Sequence, residues 1–245
     1  MVDNARHPVV KIVCPTHGRA GRVKAFGIFG PGTPTLVLSE SELPKYKEHY
    51  PDADYDVHPD SVLGMNAKRQ WMYERYGDLL MIDDDVIAFS DLGAAPGEDA
   101  SISPSMALEI VDRTRAEAEA AGAFLWGFAR TLNPTHYSPQ SPFGLTGFIP
   151  GCGMGLRPGS KLWWPDNGMM DLDDAWICLL NAHYHRYVWR NERYCLQAVD
   201  TFASIGGNST WRTSKEMSNG TNKLAEAFGE ECINRDRYGG VRIPL

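Results

Sequence analysis

Residues Gly77 to Phe89 read GDLLMIDDDVIAF. Leu79, Leu80, Met81 and Ile82 have the length and character of a buried strand, yet the run drives straight into Asp83, Asp84 and Asp85 before turning apolar again. Three adjacent carboxylates repel one another, so a positive partner is needed. Upstream, HPVVKIVCPTHGRAGRV reads as a buried strand over Val9 to Cys14, ending at Pro15 in a loop of small and basic residues. TLVLS after the turn GPGTP is a second strand, and Tyr55 to His58 a third, which makes the acidic one the fourth. Helices are expected around Glu42 to His49 and across SVLGMNAKRQWMYERYG, where Met65, Trp71, Met72 and Tyr76 recur at near-helical spacing. This alternation predicts an α/β fold: a mainly parallel sheet with helices on both faces. Such sheets bind ligands outside the carboxyl ends of their strands, which singles out CPTHGR and DDD.

Beyond the acidic run, SPSMALEIVDRTRAEAEAAG has a serine near its start, alanine-rich helical spacing and a closing glycine, the marks of a helix. AFLWGFA is expected to be a strand, and TLNPTHYSPQSPFGLTGFIPGCGMGL long loops framing one short strand. DLDDAWICLLNAHYHRY is an amphipathic helix with acidic residues in its first turn, where the helix dipole favours them. The tail from Gly206 to Leu245 is polar, with a helix around Asn222 to Phe228. No repeat, low-complexity tract or linker interrupts the 245 residues, so a single domain over 1–245 is expected.

Five scattered cysteines, Cys14, Cys152, Cys178, Cys195 and Cys232, include no C-x-x-C pair, which argues against a disulfide framework or a structural zinc site and for buried thiols. With no charged-then-apolar leader and no long apolar run, a cytoplasmic protein without a membrane span is expected. The net charge of -7 is uneven: residues 1–156 hold 13 Lys and Arg against 20 Asp and Glu, residues 157–245 hold 11 against 11. Binding of nucleic acid by the overall field is thereby disfavoured, and a local surface would be required.

The chemistry-bearing clusters each have two readings. Asp83, Asp84 and Asp85 could cap a helix, but VIAF does not begin one, and carboxylates at this edge suit a hard divalent cation. In an extended strand Asp84 would point away from Asp83 and Asp85. Lys68 and Arg69 are either a solvated helix face or, beside such an edge, cations for a nucleotide diphosphate. Asp171, Asp173 and Asp174 are either first-turn capping charges or the source of a general base for an acceptor hydroxyl. GCGMGL lacks the features of a Walker A loop or a dinucleotide fingerprint, and its glycines are expected to let backbone approach a donor sugar or acceptor. Trp163 and Trp164 are either core or a platform for a sugar or base.

Taken in order, VCPTHGRAGRV, GMNAKRQ with YGDLLMIDDDV, and GCGMGL with DLDDAWICLLNAH resemble the successive signatures of GT-A-fold nucleotide-sugar glycosyltransferases over about residues 9–190. The compact size and the ending GGNSTWRTSKEMSNGTNKLAEAFG are most similar to phage-type glycosyltransferases associated with TET/JBP oxygenases, which sugar hydroxymethylated pyrimidines in DNA. The resemblance implies a Rossmann-like GT-A domain in which about residues 1–100 hold nucleotide and metal and about 101–245 serve acceptor and catalysis. It implies a UDP-sugar donor such as UDP-glucose, with Mn²⁺ or Mg²⁺ held by Asp85 and Asp83. Thr16 and Arg19 would line the uracil pocket, Asp83 would face the nucleoside with Asp84 beside it, and Lys68 and Arg69 would lie near the diphosphate. Asp174 would be the base, with Asp173 as second choice.

No histidine follows His185 to serve as the late metal ligand of many such enzymes, leaving Asp200, Asn208 or water in that role. The acceptor implied is 5-hydroxymethylcytosine in DNA, extruded from the duplex and met at its phosphates by Arg186, Arg190, Arg193, Arg212 and Lys215. The setting implied is the cytoplasm, that of an infected bacterium if the gene is a phage's. The alternatives are a polysaccharide, lipid-linked sugar or protein acceptor, or a non-catalytic nucleotide-sugar-binding module.

Overall fold

The structure, a computed structural model, describes residues 10–30, 32–166, 169, 172–199 and 214–233, with no side-chain description at 214–217. The expected alternation is present. Strands β1 (Lys11–Pro15), β2 (Thr35–Ser39), β3 (Tyr55–His58) and β4 (Leu79–Ile82) are joined through the short α1 (Phe26–Phe29), α2 (Leu43–His49) and α3 (Gly64–Tyr76). β5 (Val86–Asp91) follows the three aspartates, and α4 (Pro104–Ala121), β6 (Leu125–Phe128), β7 (Phe143–Gly144) and β8 (Gly153–Leu156) come next. α5 (Asp173–Tyr184), β9 (Trp189–Asn191), β10 (Tyr194–Ala198) and α6 (Ser214–Phe228) complete the order.

Among the described residues the main sheet has eight strands in the order β3-β2-β1-β4-β8-β6-β9-β7. β1 pairs in parallel with β2 and β4, β2 with β3, and β6 with β9, while β8 is antiparallel to both β4 and β6, and β7 to β9. The sheet is therefore mixed and mainly parallel, flanked by helices. Alternate residues of β4 serve opposite faces: Leu80 and Ile82 join a core with Ala107, Ile110 and Val111 of α4, whereas Leu79 and Met81 join Met72 of α3 and Ile177, Cys178 and Leu180 of α5. β5 pairs antiparallel with β10 in a small second sheet, so the aspartates occupy the corner between two sheets.

Three expectations need correction. GCGMGL is not a loop: Gly153 to Leu156 form a central strand, so the segment holds two strands rather than one. Its glycines at Gly153 and Gly155 serve side-chain packing across the sheet instead of approach to a ligand. A Cβ at Gly155 would lie 2.0 Å from the Trp126 ring and one at Gly153 2.3 Å from Leu196. The late helix also starts eight residues earlier than Asn222, at Ser214. The five cysteines are free thiols, four of them buried. No helix among the described residues is long and apolar enough to cross a membrane.

The nesting of Trp126 on Gly155 is testable. Gly155→Ala is expected to destabilise the protein by about 3 kcal/mol through overpacking, lowering the melting temperature by roughly 6–12 °C for a chain of this size. Gly27→Ala, where an added Cβ meets nothing within 4 Å, is expected to stay near wild type. Equal melting temperatures for the two variants would falsify the close approach.

Candidate active site

The carboxyl ends of β1 and β4 are neighbours in the sheet, so the loop after Pro15 and the turn after Ile82 meet. The chain leaves the strand at Ile82, and the three aspartates point by turn geometry rather than by strand alternation. Asp84 is buried, 7% exposed, and both its oxygens are engaged. Arg19 Nη1 donates to Oδ1 at 2.7 Å and Thr16 Oγ1 to Oδ2 at 2.7 Å. The same Arg19 nitrogen lies 3.0 Å from Asp85 Oδ2. Since the Thr16 proton goes to Asp84, the Tyr46 hydroxyl, 2.7 Å from Thr16 Oγ1, must donate there, while it accepts from the Arg19 N–H at 3.0 Å.

On α3, Lys68 and Arg69 are 6% and 2% exposed, so neither belongs to a solvated face. Lys68 Nζ donates to the Thr16 carbonyl at 2.8 Å, and burial lowers its pKa to about 8. Arg69 sits deeper still. Its Nη2 donates to Asp83 Oδ1 at 3.2 Å and to the Gly151 carbonyl at 3.1 Å, its Nη1 reaches Met81 Sδ at 3.5 Å, and its Nε pairs with Asp173 Oδ2. One guanidinium thus joins the end of β4, the start of β8 and the first turn of α5.

Asp173 and Asp174 open α5, but neither is its cap: the N-cap is Leu172, held at φ +63°, and no side chain caps the helix. Asp174 accepts from the Gly151 N–H at 3.3 Å and the Ala175 N–H at 2.8 Å. Burial first, then the neighbouring Asp173, raises its pKa to about 7, and Arg69 opposes the rise. Burial likewise raises Asp83 to about 7 and Asp84 to about 6, against the pull of Arg69 and Arg19 respectively. A carboxylate near pH 7 is matched to proton abstraction at neutral pH.

Asp83, Asp84, Asp85, Asp173 and Asp174 face Arg19, Lys68 and Arg69, five carboxylates against three cations, an excess of two negative charges when all are ionised. Oδ2 of Asp83 and Oδ1 of Asp85 have no hydrogen-bond or ion-pair partner among the described residues. Asp83 keeps 31% of its side chain exposed. No group of three or more His, Cys, Asp or Glu among the described residues is arranged around a metal position. The fit is to a hard cation taking one oxygen each from two carboxylates and the rest from phosphates or water, the usual habit of Mg²⁺. Asp171, Asp200, Asn208, Arg212 and the side chain of Lys215 lie outside the described residues.

A family model of TET-Associated Glycosyltransferase matches residues 10–207. The chain belongs to this family. Its resemblance to glycosyltransferases therefore holds from β1 through β10 and past it. No curated protein matches the chain. Among solved structures it is similar to S. aureus TarS 1–349, with 8% identity over 87% of this chain and 64% of that one, at a TM-score of 0.46. The same TarS segment in complex with UDP-GlcNAc gives 10% identity over 87% and 66%, also at 0.46. The chain spans just under two thirds of the length of those structures.

In this member of the family, nine of the residues singled out from sequence meet at one edge: Thr16, Arg19, Lys68, Asp83, Asp84 and Asp85 on one side, Asp173 and Asp174 on the other, with Arg69 between. Sequence reading missed Tyr46, and it singled out Gly151 for approach to a ligand rather than for its bonds to Arg69 and Asp174. Tyr46 is a fully buried aromatic on an otherwise polar helix, a signal that was available. Gly151 offers both faces of its peptide to the site, and a Cβ there would meet Arg69 Nη2 at 3.1 Å and Asp174 Oδ2 at 3.3 Å. Trp164 is core, its Nε1 donating to the Asp173 carbonyl at 3.1 Å, whereas Trp163 is 43% exposed.

The raised carboxyl pKa of Asp174 has a stability consequence of definite sign. Between the ordinary carboxylate range and about pH 7 the folded chain holds a proton that the unfolded chain has released, so this group's contribution to stability falls as pH rises. Asp174→Asn removes that dependence, and its stability relative to wild type is expected to increase between about pH 5 and pH 8. Comparing the two proteins cancels the opposite trend from His58 and His185, whose pKa values burial lowers. Melting-temperature differences that stay flat across the interval overturn the assignment.

Proposed function

We propose that the protein transfers a sugar from a UDP-sugar to a hydroxyl acceptor with the help of Mn²⁺ or Mg²⁺, and that the acceptor is 5-hydroxymethylcytosine in DNA. One observation carries the reading: buried Arg69 ties the acidic turn after β4 to the acidic opening of α5, placing two differently used carboxylate groups about a single cation. In this reading Thr16 and Arg19 border the base of the donor, Asp84 fixes that loop, and Lys68 faces the diphosphate from the end of β1. Asp83 and Asp85 would hold the metal. When bound, the metal neutralises the diphosphate leaving group.

Arg69 is fully occupied by Asp83, Asp173 and Gly151, which assigns it a positioning role rather than a phosphate clamp. Asp174, oriented by the Gly151 N–H, takes the proton of the acceptor hydroxyl as that oxygen bonds to the anomeric carbon, while the UDP oxygen departs with the bonding pair. Asp173 pairs with Arg69 and, after burial, helps raise the pKa of Asp174. The DNA acceptor is supported by membership in the TET-associated family, a hydroxymethyl group being what oxidation of a methylated pyrimidine provides.

The test is incubation of the protein with labelled UDP-glucose and metal, alongside DNA containing cytosine, 5-methylcytosine or 5-hydroxymethylcytosine. Label should enter only the last. Transfer to none of the three, with UDP-sugar still bound, would move the acceptor to a saccharide or protein. Two variants separate the roles within the site. Asp85→Asn is expected to lose metal-dependent UDP binding by calorimetry, because a hard oxygen ligand and a negative charge are both removed. Asp174→Asn is expected to bind UDP normally and turn over about 10² to 10⁴ times more slowly, the range for a positioned acid–base group. A normal rate in that variant would pass the base role to Asp173.

A further inference from the structure

The topology brings one more cation to the catalytic edge. β8 lies between β4 and β6 and is antiparallel to both, so β6 runs in the direction of β4 and its carboxyl end emerges on the same edge as Asp83 to Asp85, two strands away. Arg130 stands two residues past that end, exposed, with its guanidinium 5.5 Å over the Phe148 ring. Among the described residues it has no carboxylate partner. Phe148 leads through Ile149 and Pro150 to Gly151, whose N–H holds Asp174. Arg130 thus sits over Phe148, three residues before the Gly151 that holds Asp174.

The other arginines of this region are unavailable or misplaced. Arg190 pairs with Glu192 and donates to the Thr146 and Phe148 carbonyls, and Arg193 pairs with Asp91. Arg186 precedes β9, which runs parallel to β6, and so lies toward the opposite edge of the sheet. In a chain of net charge -7, Arg130 is an exposed cation on the edge of the sheet that carries the aspartates. A guanidinium resting on an aromatic face keeps its donors directed outward, in the fork that matches two oxygens of a phosphodiester.

We propose that Arg130 binds a backbone phosphate of the nucleic-acid acceptor and so sets the reacting nucleotide beside Asp174. This rests on the DNA acceptor proposed above. It makes Arg130 a positioning residue, since it touches the acceptor backbone and not the reacting atoms.

The experiment compares wild type, Arg130→Ala and Arg130→Lys on hydroxymethylated DNA and on the free 5-hydroxymethylcytosine nucleoside, which has no phosphate, over a range of salt. Arg130→Ala should raise KM for DNA roughly tenfold with little change in kcat, as expected for a lost charge-assisted contact. The slope of log(kcat/KM) against log salt should fall by about one, and selectivity for DNA over the nucleoside should drop by the same factor as the KM change. Arg130→Lys should keep the salt slope and recover part of KM. Calorimetric UDP affinity should match wild type in both. If wild type modifies DNA and Arg130→Ala retains its KM and salt slope, the phosphate role is overturned while the acceptor reading stands. An equal loss on the nucleoside overturns it too, placing the residue at the base instead. If wild type modifies neither acceptor while binding UDP-sugar, both readings fall.

Discussion

The buried guanidinium of Arg69 is the constraint on which the rest of the site depends. An arginine without water is stable only when its donors are matched by carboxylates and carbonyls in good geometry, and removing any partner leaves a charge uncompensated. Its partners come from β4, β8 and α5, elements remote in sequence. The sheet order that places β8 against β4, and the docking of α5 on that face, are what close the shell around it. The price of burying the cation explains α3 as well. The buried side of that helix carries Asn66, Lys68 and Arg69 beside Met72, so it turns polar residues inward where an ordinary surface helix would turn apolar ones.

The acidic turn divides the edge in two. On the β1 side, Thr16, Arg19, Tyr46 and Lys68 form a connected hydrogen-bond network with every principal oxygen assigned. On the β8 side, the Gly151 peptide and the opening of α5 form a second one. Asp83 and Asp85 stand between, at the corner where the chain passes from the main sheet to the β5 and β10 pair, and the Asp85 carbonyl accepts from the Val199 N–H at 3.0 Å. A corner held from both sheets resists the mutual repulsion of its carboxylates, and two arginines shared among the three, Arg69 on Asp83 and Arg19 on Asp84 and Asp85, offset the rest.

The fold was legible in sequence wherever a single element announced itself. The four apolar residues of β4, the run TLVLS and the capped, alanine-rich α4 carried their own signal. β8 did not, because a strand whose alternate positions are glycine reads as a loop until Trp126 and Leu196 are seen to fill the space. The candidate residues were legible by type and by order. Their wiring was not: that Arg69 faces carboxylates, that Tyr46 donates to Thr16, or that Gly151 serves two networks follows only from contacts between elements far apart in the chain. The strand-alternation argument for Asp84 holds only for an extended strand, and the chain has already left the strand at Ile82.

The alternate glycines of β8 bear on how this chain can diverge. Gly153 and Gly155 fall on one face of the strand, against Leu196 and Trp126, and Gly151, in the turn just before it, lies against Arg69 and Asp174. Met154 and Leu156 fall on the other, within a core of interchangeable apolar volumes. Drift along β8 is thereby confined to every second position. The strand and the turn before it also answer to different selective demands, since enlarging Gly155 crowds an indole and enlarging Gly151 crowds Arg69 and Asp174. A lineage that gave up catalysis but kept the fold would be free to change Gly151 first, and a side chain at that position would be a written record of the loss.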